Sequence, residues 1–432
     1  MGAPPGGGNG GGAVGGGGSN FNPRLPSAPL DMDQGGLGTN GGPGGGGLPA
    51  VQAPHEPDLI VVVFRAGTPD STSNGFAQGL HLTIVQNFDL AGLHLRVFLM
   101  RLPKGGDLDA TLRTASANRQ ALWVQPDFNF RSLDGATAQG GSVAAGQYAL
   151  QKIHADGLPH ALRGQGITVA MIDSGVEKDH ESLHADNVTL VDLIDSGKTA
   201  PPEVHGTAMA SIIAGSGRVA GVAPGVSLLA IRAFAEVDPG SGASTSDSFH
   251  LGEGISLALD RKARVINLSI GGPNDPLVRM AVEQAVLTGV TVVAAAGNSG
   301  PDSPPVYPGA QAGVLAVTAT DDKDRIYSGA NRGDYIAVAA PGVNVLAARP
   351  GHGAGASAYD YFTGTSMATG YVSGLAAVLL SADPNLTSAD IRRILEASAT
   401  DLGAPKKDPE FGYGRIDAAA AYSATPTVGS AN

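Results

Sequence analysis

Apolar positions along this chain fall into two textures. Between Asp58 and Asp127 the unbroken run Leu59-Ile60-Val61-Val62-Val63-Phe64 predicts a buried strand, and Leu93 to Met100 predicts another. The polar stretch between them admits a helix. Leu108 to Asn118 repeats apolar residues at helical spacing, and Leu122 to Asp127 reads as a closing strand, so residues 57–131 form a small α+β unit. From Gln147 onward apolar strands alternate with helices. The predicted strands are Ile167 to Ile172, Val226 to Ala233, Val265 to Ile270, Val290 to Ala296, Leu315 to Ala319 and Ile336 to Ala340. Helices are predicted over Val204 to Gly215, Asp247 to Lys262, Leu277 to Thr288, from Ser366 through Leu380, and from Ser388 to Ala399, the last capped by Thr387 or Ser388. Such alternation predicts an α/β domain over residues 147–422, a mostly parallel sheet covered by helices on both faces.

The flanks lack this patterning. Residues 1–56 are Gly/Pro-rich, with 20 of the 64 glycines in the first fifty positions, and are expected to be a disordered leader. Gly36 to Gly41 spells GxGxxG, but no strand precedes it and no helix follows, so the dinucleotide-binding reading fails on context. Residues 132–146, rich in Ser, Gly, Ala and Gln, read as an exposed linker open to cleavage, and 423–432 as a tail. No run of eighteen apolar residues is present, so no membrane span is expected. The first residues show neither a basic segment nor an apolar core, so no signal peptide is visible in this chain.

Composition narrows the classes of function. A net charge of −12 and a pI near 5.2 argue against affinity for nucleic acid or anionic lipid. Cysteine is absent, which excludes a thiolate nucleophile, a Cys-ligated zinc and any disulfide.

Four element ends carry candidate chemistry. Ser366 follows the small residues Gly364-Thr365 at a predicted helix start, where its oxygen can cap the helix or can be approached by a substrate backbone and act as a nucleophile. Asp173 follows the strand ending Met171-Ile172, on the carboxyl edge where sites form in parallel sheets, although an Asx turn accounts for it equally well. His205 opens a helix of small apolar residues, as a cap or as a base. Asn298 ends the strand Ala294-Ala295-Ala296 and offers a side-chain N–H to a developing negative charge. A competing signature, His180-Glu181-Ser182-Leu183-His184, matches the zinc-binding HExxH, but charged residues flank it and no apolar stripe sustains a helix there. Ser366 does not lie in GxSxG, which disfavours an α/β-hydrolase.

Taken in the order Asp173, His205, Asn298, Ser366, these fragments resemble the subtilisin-like serine proteases, the subtilases. The matching stretches are Val169 to Val176, His205-Gly206-Thr207, Asn267 to Gly272, Ala295 to Asn298 and Gly364 to Ala368. The resemblance implies a serine endopeptidase acting on proteins or peptides, with Asp173, His205 and Ser366 as the triad and Asn298 in the oxyanion hole. It implies an S1 pocket walled by Ser269, Ile270 and Gly271 on one side and Ala295, Ala296 and Gly297 on the other, floored by Val306. P1, the residue on the acyl side of the cut bond, is then small or medium and apolar. The 57–131 unit resembles the family's propeptide, an intramolecular inhibitor removed by autoprocessing, and the family habit is secretion. No cofactor is required. Calcium is admissible, though the segment Ala214 to Pro224 is shorter than the family's usual calcium loop.

Departures from the pattern accompany it. Gly370 replaces the usual proline and should loosen the first turn of its helix by about 1 kcal/mol, and Ala208 replaces a second histidine. A subtilase fold that binds without catalysing is the alternative reading.

Overall fold

The computed structural model describes residues 53–133, 147–159, 161–194, 203–237, 244–351 and 357–426. Residues 1–52 of the predicted leader, nearly all of the predicted linker and the last residues of the tail lie outside them, and the last two leader positions, His55 and Glu56, belong instead to the first strand.

The N-terminal unit runs β1 (His55–Arg65), α1 (Asp70–Gly79), β2 (Thr83–Leu90), β3 (Leu95–Arg101), α2 (Leu108–Ala117) and β4 (Trp123–Ser132). Its antiparallel strands lie in the order β2-β3-β1-β4. The six apolar residues at the centre of β1 follow from burial on both faces. Side chains alternate across a strand; accordingly Ile60, Val62 and Phe64 pack beneath α1 and α2 with Phe76, Leu112 and Ala115. Leu59, Val61 and Val63 turn the other way and join the core of the C-terminal domain. β2 was not expected as a strand, because Thr83, Gln86, Asn87 and Asp89 interrupt its apolar residues and only Phe88 and Leu90 are buried.

The C-terminal domain continues with α3 (Tyr148–Lys152), β5 (Thr168–Asp173), β6 (Val188–Asp192), α4 (Val204–Ala214), β7 (Ser227–Arg232), β8 (Ala235–Glu236), β9 (Ser244–Asp247) and α5 (Ser248–Asp260). There follow β10 (Val265–Leu268), β11 (Ile270–Gly271), α6 (Pro276–Leu287), β12 (Thr291–Ala295), β13 (Leu315–Thr320), β14 (Ile336–Pro341), the pair β15 (Val345–Ala348) and β16 (Tyr359–Phe362), α7 (Thr365–Ala382), α8 (Ser388–Ser398) and α9 (Ala418–Ser423). Seven parallel strands order as β14-β13-β12-β10-β5-β7-β6. This is the predicted α/β architecture, a parallel sheet with helices on its faces. The expected strand from Val265 to Ile270 divides in two: at Ser269 the chain leaves the parallel sheet, and β11 pairs antiparallel with β4.

Core packing centres on α7. Every residue from Thr365 to Leu380 is buried, with α4 and the sheet around it, so the helix is apolar on all sides rather than along a stripe. It is the one described helix long and apolar enough to cross a membrane, and its burial marks it as a core helix. Gly370 has a packing reason here: a Cβ would lie 2.9 Å from Ile212 Cγ2 and 3.0 Å from Met209 Cε on α4. Its helix runs without interruption, so the expected loosening gives way to a close helix crossing. Gly370→Ala should therefore destabilise the chain by about 1–3 kcal/mol through overpacking, against the ~1 kcal/mol that alanine gains over glycine in an open helix. Denaturant unfolding of the variant beside its parent reads the sign; a more stable variant would refute the packing explanation.

Candidate active site

The candidate residues fall into two pairs, Asp173 with His205 and Ser366 with Asn298 on a shared carbonyl, with Asp173 and Asn298 at the carboxyl ends of β5 and β12. Asp173 ends β5, buried, and its Oδ1 accepts from Ser174 N (2.7 Å) and lies 2.8 Å from His205 Nδ1, with Oδ2 at 3.0 Å. The Asx-type bond and the contact to histidine coexist, so neither reading of Asp173 displaces the other. His205 is the second residue of α4, whose cap is Glu203, so the imidazole does not cap the helix. Gly206 follows because a Cβ there would lie 1.9 Å from Gly175 O. α4 thus sits hard against the turn that follows Asp173, and the imidazole reaches the carboxylate across that turn.

Ser366 is likewise the second residue of its helix. Gly364 occupies the cap position without a side-chain bond, and Ser366 Oγ donates to Leu133 O at 2.8 Å instead of accepting from the first turn. Asn298 meets the same oxygen, its Nδ2 donating at 2.7 Å. The orientation of that amide is fixed by its other end, where Oδ1 accepts from Thr365 N (3.0 Å) and Thr365 Oγ1 (2.8 Å). A backbone N–H can only donate, so the oxygen must face Thr365 and the nitrogen Leu133.

Leu133 arrives there on β4. Ser132 pairs with Ile270 and Arg131 with Gly271, and Leu133 N donates to Ser269 O at 3.1 Å. On the opposite edge Arg131, Phe130 and Asn129 pair with Thr245, Ser246 and Asp247 of β9. β4 therefore fills a slot between β11 and β9, and its last carbonyl rests between Ser366 and Asn298. Two positions assigned to the linker, Ser132 and Leu133, are hydrogen-bonded in this slot.

Of the expected S1 walls, Gly271 is the residue shown against the Leu133 side chain. A Cβ on Gly271 would stand 3.1 Å from Leu133 Cδ2, so Gly271 borders it directly, with buried Ser269 and Ile270 alongside. Ala295 and Ala296 are buried at the end of β12, and Gly297 turns there with φ +113°. Val306 is half-buried just before Tyr307, which exchanges backbone bonds with Gly272. Gly272 in turn admits Phe130, whose ring carbon would be 2.3 Å from a Cβ at that position.

The HExxH residues do not converge. Residues 180–184 form turns, not a helix. His180 accepts from Ser182 N at Nδ1 and meets Ala358 O at Nε2, Glu181 accepts from Tyr359 OH, and His184 is exposed. Among the described residues no group of three or more His, Cys, Asp or Glu is placed to hold a metal ion.

Upstream of Leu133 the same strand lies against two helix N-termini. Asp247 caps α5 and is bonded to the His250 ring at 2.7 Å; Asp275 caps α6. Gln125 Nε2 and Ser248 Oγ both donate to Asp275 Oδ2, at 2.6 and 2.7 Å. Asp127 is fully buried beside them, its Oδ1 accepting from Phe249 N at 3.1 Å. Burial, then the carboxylates of Asp247, Asp275 and Glu56, push the Asp127 carboxyl well above its usual range. Sequence patterning did not reveal this interface, although Asp275-Pro276 carries a helix-start signature.

Comparison with known proteins gives the same picture. Residues 164–414 match the subtilase family model. Subtilisin E of Bacillus subtilis (strain 168) is 34% identical over 264 residues, covering 59% of this chain and 66% of that one. Thermitase of Thermoactinomyces vulgaris is 36% identical over 262 residues, 59% of this chain and 89% of that one. Among solved structures, fervidolysin from Fervidobacterium pennivorans, a keratinolytic enzyme related to subtilisin, superposes with a TM-score of 0.71 at 26% identity, over 86% of this chain and 62% of that chain. The chain thus spans just under two thirds of the length of subtilisin E and of fervidolysin. It belongs to the subtilase family, the subtilisin-like serine proteases.

The buried acid gives a pH test. A carboxyl whose pKa is raised by docking takes up a proton as β4 docks; the docked state is fully favoured below the ordinary carboxylate pKa and loses that advantage as pH rises through the raised value. Asp127→Asn, which mimics the neutral acid, should match its parent in acid and become progressively the more stable of the two towards neutral pH. Paired denaturant titrations in a Ser366→Ala background measure the gap, and a gap independent of pH would contradict the assignment.

Proposed function

We propose that this chain is the precursor of a serine endopeptidase that first cuts itself between Leu133 and Asp134. The observation that carries the reading is the Leu133 carbonyl oxygen, held at 2.7 Å by Asn298 Nδ2 and at 2.8 Å by Ser366 Oγ at the end of a strand paired on both edges. An extended chain in this slot presents one carbonyl to a serine hydroxyl and an amide donor, the arrangement acyl transfer needs.

In the reaction Ser366 Oγ turns its proton from Leu133 O towards His205 and attacks the carbonyl carbon. His205 accepts that proton and returns it to the nitrogen of the departing residue, while Asp173 holds the imidazole by the bond to Nδ1 and steadies its positive charge. Asn298 Nδ2 stabilises the oxygen as it becomes negative. Water, deprotonated by the same histidine, then releases the acyl group. The positive end of α7 lies at Ser366 and adds to the stabilisation of negative charge.

Residues 57–133 then act as an intramolecular inhibitor, with β4 occupying the cleft until it is released. The fit of Leu133 beside Gly271 supports a preference for small or medium apolar P1 residues, and the substrates are other proteins or peptides. Family habit supports action outside the cytoplasm. Gly370, a departure from the family pattern, has a structural reason in its packing against α4 and so does not favour the binding-only alternative.

Full-length wild-type chain should convert to a shorter form whose first residue is Asp134, and Ser366→Ala should not convert at all; N-terminal sequencing and gel mobility read both. Conversion of the alanine variant at the wild-type rate would exclude self-cleavage. On a peptide library the mature form should favour Leu, Ala or Val at P1, and leading Arg, Lys or Phe would overturn the specificity.

A further inference from the structure

The turn that carries Asn298 is held from two sides. On the side of the nucleophile, Thr365 binds the amide oxygen of Asn298 and its Oγ1 accepts from Gly297 N at 3.3 Å. On the far side stand two residues between β13 and β14, and the chemistry so far has not used them. Asn331 is wholly buried. Its backbone N–H donates to Gly297 O (3.1 Å), its Oδ1 accepts from Ser299 N (2.8 Å), and its Nδ2 donates to Pro304 O (3.1 Å). Tyr335 donates its hydroxyl to Ala296 O at 2.7 Å. Burial pushes that phenol up to about 12, the bond from Asn331 pulling slightly the other way, so it stays a donor at any pH where a histidine base works.

These bonds take hold of residues 296, 297, 299 and 304 and leave the side chain of residue 298 to face the cleft. Gly297 completes the fit, because at φ +113° a Cβ would lie 2.7 Å from Asn331 Cγ and Nδ2. The flat amide is packed directly onto the turn. A residue at 331 must accept from one backbone group and donate to another within the span of a single planar group. Asparagine does both; aspartate keeps the shape and loses the donor, and leucine keeps the bulk and loses both.

We propose that Asn331, backed by Tyr335, is a positioning residue that fixes where Asn298 Nδ2 points in the transition state. The proposal rests on the reading of Asn298 as the oxyanion donor. The physical reason is geometric: a donor stabilises the oxyanion only at hydrogen-bond distance, and a misplacement of about 1 Å costs on the order of 10²-fold in rate. Thr365 alone fixes the oxygen of the Asn298 amide, about which the turn can still pivot. Bonds to residues on either side of Asn298 remove that pivot.

The test is a double-mutant cycle on enzyme matured from the full chain. Asn331→Asp, Tyr335→Phe, Asn298→Ala and the double variant Asn331→Asp/Asn298→Ala are compared on a peptide amide with Leu at P1, with active sites counted by fluorophosphonate labelling taken to completion. Asn298→Ala should lose about 10²–10³ in kcat, the loss established for this kind of donor. Asn331→Asp should lose about 10–100-fold in kcat with KM changed by less than about threefold, and Tyr335→Phe a smaller factor in the same direction. In the double variant the Asn331 effect should vanish, kcat lying within about threefold of Asn298→Ala alone. A residue that only supports the fold would lower the labelled fraction or the thermal midpoint while leaving kcat per labelled site intact, and that result overturns the proposal. So does a full Asn331 effect persisting without Asn298. If Asn298→Ala itself keeps wild-type kcat, the oxyanion reading fails first, which is a distinguishable outcome.

Discussion

A helix with no exposed face is the constraint on which the rest of the molecule depends. α7 is surrounded by the sheet and α4, and sixteen consecutive residues from Thr365 to Leu380 are buried. A helix so enclosed cannot tilt or slide without opening voids, and packed interiors resist that strongly. Ser366 at its start is therefore as rigid as the core. Asn298, from the end of β12, shares the Leu133 carbonyl with it, and Asp173 at the end of β5 is met by His205 on α4, which packs onto the turn after Asp173. Gly370 and Gly206 serve the same end, the first letting α4 approach α7 and the second letting α4 approach Gly175.

The second organising feature is a strand shared between two domains. β4 belongs to the N-terminal sheet by its pairing with β1, and to the cleft by its pairing with β9 and β11. Along it the interactions change character. Near Gln125 and Asp127 they are side-chain contacts with polar and acidic groups at helix N-termini, where partial positive charge favours an acceptor. Asp247 and Asp275 already serve those helices, so Asp127 enters a place crowded with carboxylates, and its carboxyl is pushed towards the protonated form. Past Phe130 the contacts are mainly backbone to backbone. On the proposed reading, affinity and chemistry thus lie on one strand but at different ends of it.

Much of this was legible in the sequence wherever burial alone dictates residue type. The parallel strands announce themselves as apolar runs because helices cover both faces, and Asp173, His205, Asn298 and Ser366 announce themselves together because each sits at an element end with small residues around it. What was hidden depends on partners distant in sequence. β9 and β11 are too short and mixed to carry a pattern; they are strands because β4 lies between them. β4 itself runs past its expected end at Asp127 for the same reason. Ser366 and His205 looked like helix caps because local sequence cannot distinguish a cap from a residue one step further in. Asn331, between β13 and β14, carries no local signal at all, since its role comes from bonds to residues more than twenty-five positions away.

The slot between β9 and β11 has a consequence for what the proposed enzyme can accept. If the proposed self-cleavage releases β4, two strand edges face one another across the width of a missing strand, and whatever refills the gap has to offer backbone groups on both of its own sides. A segment already paired within a sheet or wound into a helix has none to offer. The enzyme should therefore sort polypeptides first by their conformation, admitting stretches that are already loose or can be pulled out straight, and only then by the side chain that falls beside Gly271. Folded neighbours, and its own compact catalytic domain among them, would be protected by their order more than by their sequence.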